Sequence, residues 1–111
     1  RIERVFREAG LEAPPVREAL AKAGLDEARA RTLLQLMLKD GRLVRVAPDL
    51  LLHRAAVERL KSMVRQRKGQ RFGVGEFKEW TGVSRKYAIP LLEFLDRERV
   101  TRREGDRRVV L

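Results

Sequence analysis

Cysteine is absent from this sequence, and His53 is its only histidine. Without cysteine the chain can form neither disulfide bonds nor a thiolate metal site, which agrees with a reducing cytoplasm. A single histidine also excludes a metal site built from several histidines. We therefore expect no metal and no other cofactor, and we expect His53 to lie exposed at a helix start without a functional role.

Long apolar stretches are also missing. No run approaches the ~20 residues of a membrane span, and the N-terminus has no uninterrupted apolar segment of the signal-peptide type. We expect a cytoplasmic protein with no membrane partner. Aromatic residues make up only 5% of the 111 residues, so aliphatic side chains must fill most of any core. Because the chain begins with Arg1 rather than Met, we expect it to be a piece of a longer protein.

Acidic residues are too few to balance the basic ones. The chain has 26 Lys and Arg against 16 Asp and Glu, a formal net charge of +10. This excess favours a polyanionic partner, either nucleic acid or an acidic membrane surface, although a solvated arginine-rich surface would show the same balance. Residues 1–55 carry a net charge of +3 and residues 56–111 a net charge of +7. The second half is therefore the better candidate for binding.

No catalytic motif is visible in the sequence. The carboxylate pairs Asp96 with Glu98 and Glu76 with Glu79 are typical of a solvated helix face. The glycines of residues 69–75 are not followed by the Lys-Ser or Lys-Thr of a Walker loop, and a histidine-based triad would have to form around His53 alone. The sequence predicts that the chain is not an enzyme.

An internal repeat organises the chain. A shift of 58 residues places Gly24 on Gly82 and Leu33-Leu34 on Leu91-Leu92. A repeat of this length indicates two copies of one structural unit. We predict two domains, one over residues 1–52 that supports or spaces the other, and one over residues 53–111 that binds the partner.

Each copy combines helical apolar spacing with a pair of short strands at its end. This order predicts a mainly α fold with small β wings (α+β), formed by two tandem winged-helix (helix-turn-helix) domains. In the first copy we predict helices over 2–9, 16–23 and 26–40, the last with a buried face of Leu33, Leu34, Met37 and Leu38, and strands over 43–46 and 50–52. In the second copy we predict helices over 53–68, 74–80 and 84–97, a short edge strand near 72–74, and a basic hairpin after residue 100.

The third helix of the second copy has an unusual start. Ser84 is expected to be the N-cap, with its hydroxyl accepting a backbone N–H of the first turn. Arg85 and Lys86 follow, although the helix dipole favours acidic residues at this end, and a bound anion would relieve this conflict. Pro90 lies inside the helix and should cost about 3 kcal/mol or produce a kink. We retain the helix because the apolar spacing continues beyond the proline.

The helix start and the hairpin are the elements that a winged helix presents to a duplex. In the first copy the corresponding helix positions are Glu27 and Ala28, so the basic pattern is specific to the second copy. Tyr87 either stacks on an unpaired base or packs its ring against the domain. The candidate nucleic-acid-binding residues are Ser84, Arg85, Lys86, Tyr87, Arg102, Arg103, Arg107 and Arg108.

The run from Gly82 to Asp96, GVSRKYAIPLLEFLD, together with the VTRR of residues 100–103 and Gly105-Asp106, resembles the C-terminal end of bacterial selenocysteine-specific translation elongation factors. The resemblance is close over residues 72–111 and weaker over residues 1–55. It implies that the last winged-helix domain binds the selenocysteine insertion sequence, an mRNA stem-loop. This binding would tether the elongation factor for the incorporation of selenocysteine at a recoded stop codon. In the full-length protein it implies the ribosome, GTP and selenocysteyl-tRNA as further partners, with the GTP-binding part outside this chain. We expect a monomer.

The residues by themselves do not distinguish RNA from DNA. A fragment of a DNA-binding winged-helix transcription regulator, whose third helix enters a major groove, would show the same charges. A tandem winged helix that docks on another protein is a third alternative.

Overall fold

The computed structural model describes residues 2–111. The chain forms two compact units, the first ending at Val57 and the second comprising Glu58–Leu111. The division falls within helix α4 (Arg54–Arg65), a few residues after the boundary at 52/53 expected from the repeat. His53 therefore belongs to the first unit.

The first unit consists of three helices and a two-stranded antiparallel sheet. Its elements are α1 (Ile2–Ala9), α2 (Val16–Ala23), α3 (Glu27–Lys39), β1 (Leu43–Ala47) and β2 (Leu50–His53). Gly24 ends α2 in the left-handed conformation with φ 68°, and the Asp26 carboxylate caps α3 by accepting the Arg29 N–H. The predicted elements are therefore confirmed to within a few residues.

Two expectations for the first unit were wrong. Leu33, Met37 and Leu38 are only half-buried, because α3 faces the core through Ala30 and Leu34. His53 is buried, with 5% of its surface exposed, because it is the last residue of β2, where it pairs with Leu43. Its Nε2 lies 2.8 Å from a Glu3 carboxylate oxygen, and its Nδ1 accepts the Ala55 N–H.

The second unit begins within α4 and continues through a small α+β arrangement. Its further elements are β3 (Arg71–Phe72), α5 (Val74–Thr81), α6 (Arg85–Arg97), β4 (Thr101–Glu104) and β5 (Arg107–Val110). The strands form one antiparallel sheet in the order β3-β5-β4. The predicted mainly α fold with small β wings is confirmed. Val74 belongs to α5 rather than to the edge strand, since α5 begins directly after Gly73.

Helix α6 continues through Pro90 without interruption. The proline removes a backbone hydrogen bond and costs about 3 kcal/mol. The helix also buries four large apolar side chains, Leu91, Leu92, Phe94 and Leu95. Burial of each contributes about 1.5 to 3 kcal/mol to the stability of the folded state. Burial therefore outweighs the cost of the proline, and α6 holds its first turn in a fixed position relative to the core of the unit.

Candidate nucleic-acid interface

Helices α5 and α6 form a helix-turn-helix joined at Gly82, which ends α5 with φ 77°. Val83 is buried, and Ser84 is the N-cap of α6 with an extended backbone. The Ser84 carbonyl accepts the Ala88 N–H at 2.9 Å, but among the described residues its side chain makes no capping hydrogen bond to the helix. The expected hydroxyl cap was therefore wrong, although the position of the helix start was correct.

The first turn of α6 is basic and contains no acidic residue. Arg85 and Lys86 are exposed and Tyr87 is half-buried, and the Lys86 Nζ lies 5.4 Å from the centre of the Tyr87 ring. Helix N-termini carry a partial positive charge and present N–H groups to anions. Arg85 and Lys86 add two positive charges to those of the helix terminus, so the local electrostatics favour an anion.

The wing is the β4–β5 hairpin, which turns at Gly105 with φ 66°. Arg102 and Arg103 are exposed. The Arg102 Nη2 donates to Glu104 at 2.9 Å, and the Arg71 Nε donates to the same carboxylate at 3.1 Å. The hydrogen bond from Arg102 lowers the pKa of Glu104 below its ordinary value. Exposed ion pairs contribute little to stability, so a phosphate can replace Glu104 as the partner of either arginine.

Arg107 and Arg103 are the other exposed arginines of the hairpin. Arg107 pairs with Glu104 and Arg103 pairs with Arg108, so they lie on opposite faces. The Arg107 Nη2 lies 3.3 Å from the Glu76 carboxylate, which also accepts the Gly73 N–H at 2.9 Å. This backbone hydrogen bond is the main reason that the pKa of Glu76 is lowered. The Arg103 Nε donates to the Gly105 carbonyl, and within residues 2–111 its guanidinium has no carboxylate partner. Arg103 is thus the wing cation that is most available to a new anion.

Arg108 does not lie on the exposed face that the sequence suggested. Only 7% of its surface is exposed, and its Nε and Nη2 both lie 3.0 Å from Oδ2 of Asp96. Successive side chains of a strand point to opposite sides, so Arg108 lies on the face opposite Arg107, where Asp96 is its partner. We therefore remove Arg108 from the contact surface and assign it to the junction between the wing and α6.

Asp96 is the residue at this junction that sequence reasoning missed. It was expected to be an ordinary solvated carboxylate, yet it accepts the Thr101 hydroxyl at 2.6 Å as well as the Arg108 guanidinium. The adjacent arginines of β5 indicated that one of them points to the opposite face, but this signal was not sufficient, since Arg102 and Arg103 are also adjacent and both are exposed. The junction lies about 16 Å along the helix from the first turn of α6, so the helix start and the junction are separate places on the unit.

Across residues 2–111, no group of three or more histidine, cysteine or acidic residues is arranged to hold a metal ion. No helix in this part of the chain has the length and apolarity needed to cross a membrane.

A helix-turn-helix followed by a hairpin, in a sheet of order β3-β5-β4, defines the second unit as a winged-helix domain. Residues 65–110 match the family model described as "Elongation factor SelB, winged helix". Over these residues, which are fewer than half of the chain, the second unit is therefore similar to the winged-helix domains of the SelB family. Because the matched family is a winged-helix domain, the prediction that this chain is not an enzyme is confirmed.

Several known proteins are similar to most of the chain. The selenocysteine-specific elongation factor of Desulfomicrobium baculatum is 31% identical over 98% of this chain, which spans 18% of that relative's length. A crystal structure of a bacterial selenocysteine-specific elongation factor, EF-Sec, matches with a TM-score of 0.73 and 28% identity, over 88% of this chain and 16% of its own. The mRNA-binding domain of elongation factor SelB from E. coli, solved in complex with SECIS RNA, matches with a TM-score of 0.75 and 25% identity, over 98% of this chain and 95% of its own.

Proposed function

We propose that this chain binds an mRNA stem-loop of the SECIS type and thereby tethers a selenocysteine-specific elongation factor at a recoded stop codon. The observation that carries the proposal is the likeness to the SelB mRNA-binding domain in complex with SECIS RNA, which extends over nearly the whole of both chains. The charge distribution supports the second unit as the binding part, and the first unit then supports or spaces it as the other half of a tandem winged helix.

The proposed contact surface combines the start of α6 with the exposed arginines of the wing. A-form RNA has a deep, narrow major groove that side chains cannot read, so a paired stem is held mainly through its phosphates. Exposed cations suit this task, and Tyr87 is the aromatic residue placed beside them for an unpaired base. Ser84 lies at the same helix start. The proposed phosphate contacts are Arg85, Lys86, Arg102, Arg103 and Arg107.

The longer protein to which such a domain belongs would supply the remaining activities. We propose GTP, selenocysteyl-tRNA and the ribosome as partners of the full-length factor, which would act in the cytoplasm. For the 111-residue chain we propose a monomer that binds one stem-loop.

A DNA-binding regulator is the alternative, and the relatives favour RNA over it. The test compares a labelled RNA stem-loop containing a bulged nucleotide with a duplex DNA of equal length by fluorescence anisotropy at several salt concentrations. We expect the RNA to bind at least about tenfold more tightly at physiological salt, because only its loop and bulge offer unpaired bases. Equal or tighter binding of the DNA would contradict the proposal.

A pair of matched double variants locates the interface. Arg85→Ala with Lys86→Ala removes two cations from the start of α6, and Arg4→Ala with Arg29→Ala removes two exposed cations from the first unit. The first pair should lower the dependence of affinity on salt by about two phosphate contacts. The second pair should leave it nearly unchanged, and similar losses for both pairs would show that the second unit is not the specific binding part.

A further inference from the structure

Helices α3 and α6 end with the same backbone arrangement. In α3 the Gly41 N–H donates to the Leu38 carbonyl and the next N–H donates to Met37. In α6 the Arg99 N–H donates to the Asp96 carbonyl and the next N–H donates to Leu95. Both are Schellman motifs, in which the residue after the C-cap takes the left-handed conformation. The shift of 58 residues that relates the two copies places Arg99 on Gly41.

Arg99 occupies a backbone position that favours glycine. Its φ is 60°, and among the described residues it is the only non-glycine residue with a positive φ, whereas Gly41 has φ 80°. A side chain carrying a Cβ is disfavoured in this conformation. The helix dipole does not account for the arginine, because Arg97 already places a cation in the last turn of α6. The first copy shows that the fold forms well with glycine at this position.

The side chain of Arg99 is placed at an exposed basic groove. The groove has a volume of about 520 Å³ and is lined by Asp96, Arg97, Arg99, Thr101, Arg102, Arg103 and Leu111. Asp96, the only acidic residue in this lining, is bonded to Arg108 and Thr101. Within residues 2–111, Arg99 has no side-chain hydrogen bond and no ion pair.

We propose that this groove is a second phosphate-binding subsite, in which Arg99 contacts the backbone of the RNA that the helix start and wing bind. The proposal rests on the proposed RNA-binding function and extends it to the opposite end of α6. Arg102 and Arg103 belong both to the wing and to the groove lining, so a phosphate chain following the wing meets Arg99 without leaving the basic surface. Arginine suits this role because its planar guanidinium binds phosphate oxygens in pairs.

The test uses the whole chain and three substitutions. Arg99→Gly restores the residue that the left-handed position favours and removes the charge, Arg99→Lys keeps the charge, and Arg59→Gln removes an exposed cation of α4 outside the groove lining. Folding is followed by the fluorescence of Trp80, the only tryptophan and a residue of the second unit. Binding of an RNA stem-loop is measured by anisotropy as a function of salt.

We expect Arg99→Gly to raise the melting temperature of the second unit by a few degrees and yet to weaken RNA binding about fivefold at 0.1 M salt, with the salt slope reduced by about 0.7 to 0.9. Arg99→Lys should retain the slope, and Arg59→Gln should change neither slope nor affinity by a comparable amount. A lower melting temperature with unchanged affinity in Arg99→Gly would overturn the inference and make Arg99 structural. If the unsubstituted chain binds the stem-loop and Arg99→Gly binds it equally well, the subsite fails while the proposed function stands, whereas no binding by the unsubstituted chain would refute both.

Discussion

We expect the ion pair between Asp96 and Arg108 to stabilise the second unit and not to contact RNA. Asp96→Asn tests the stabilising role. The side chains of Arg108 and Asp96 are 8% and 23% exposed. Breaking a fully buried ion pair by removing one partner costs about 3 to 5 kcal/mol. Because Asp96 is partly solvated and asparagine keeps one acceptor for the guanidinium, we expect a smaller loss in the free energy of unfolding, about 2 kcal/mol.

The magnitude matters because the unit is small. At about 0.05 to 0.15 kcal/mol per residue, Glu58–Leu111 would have a total stability of roughly 3 to 8 kcal/mol. Urea unfolding monitored by Trp80 fluorescence should show a lower midpoint and an unchanged slope for Asp96→Asn. Trp80 packs against Phe72 with ring centres 4.8 Å apart, so its emission reports on the second unit alone. A loss below about 0.5 kcal/mol would refute the assignment of the pair as a stabilising junction.

Arg108→Met tests whether the guanidinium of this ion pair contacts RNA. Methionine fills much of the same buried volume, and the Asp96 carboxylate it leaves behind still accepts the Thr101 hydroxyl, so we expect a loss of about 1 to 2 kcal/mol. Once the folded fraction is taken into account, RNA affinity and its salt slope should equal those of the unsubstituted chain. A reduced slope in a folded Arg108→Met variant would mean that this guanidinium reaches a phosphate after all.

Three further predictions concern the two units separately. Replacing Arg102 and Arg103 by alanine should weaken binding to matched and mismatched stem-loops alike and lower the salt slope by about 0.7 to 0.9 for each arginine, with the circular dichroism unchanged; a constant slope would exclude the wing as a phosphate contact. Tyr87→Ala should weaken binding to an RNA with a bulged base by about 1 to 3 kcal/mol and binding to a fully paired stem much less, while Tyr87→Phe should have little effect; equal losses on both RNAs would assign Tyr87 a packing role. The hydrogen bond to His53 lowers the pKa of Glu3. This pair therefore stabilises the folded state above the ordinary glutamate pKa, and the stabilisation is lost as the pH falls through the lowered pKa. The melting temperature between about pH 6 and pH 3 should depend less on pH in Glu3→Gln than in the unsubstituted chain, and identical pH profiles would refute the linkage.

Local patterns were sufficient to predict most of the helices and strands. The repeat matched Gly24 with Gly82, and both take the left-handed conformation. The apolar spacing of α6 was regular enough to predict a continuous helix across Pro90. In these cases the residues that determine the structure are neighbours in sequence, so the pattern alone was informative.

The errors concern contacts between residues that are distant in sequence. His53 was expected at the surface because its neighbours resemble a helix start, but it ends β2, and its Nε2 lies 2.8 Å from Glu3, which is far away along the chain. Arg108 was expected to face outward because it is charged, and its orientation depends on Asp96 in another element. A charged side chain can be buried when a partner of opposite charge is present, and sequence spacing does not reveal which partner that will be.

The two units differ in the residues at both ends of their third helix, where the second unit carries basic residues and the first does not. At the start of the third helix, the first unit has Asp26 as a capping residue, and the second unit has Ser84 followed by two cations. After the same helix, the first unit has Gly41 where the second has Arg99. At the C-terminal end the first unit carries glycine, which the left-handed position favours. At the N-terminal end the Asp26 side chain caps the helix, whereas the Ser84 side chain does not. The first unit thus forms the same helix without these basic residues. Binding of an anion along α6, as proposed above, would account for both departures, and on this ground we propose the binding role for the second unit and the supporting role for the first.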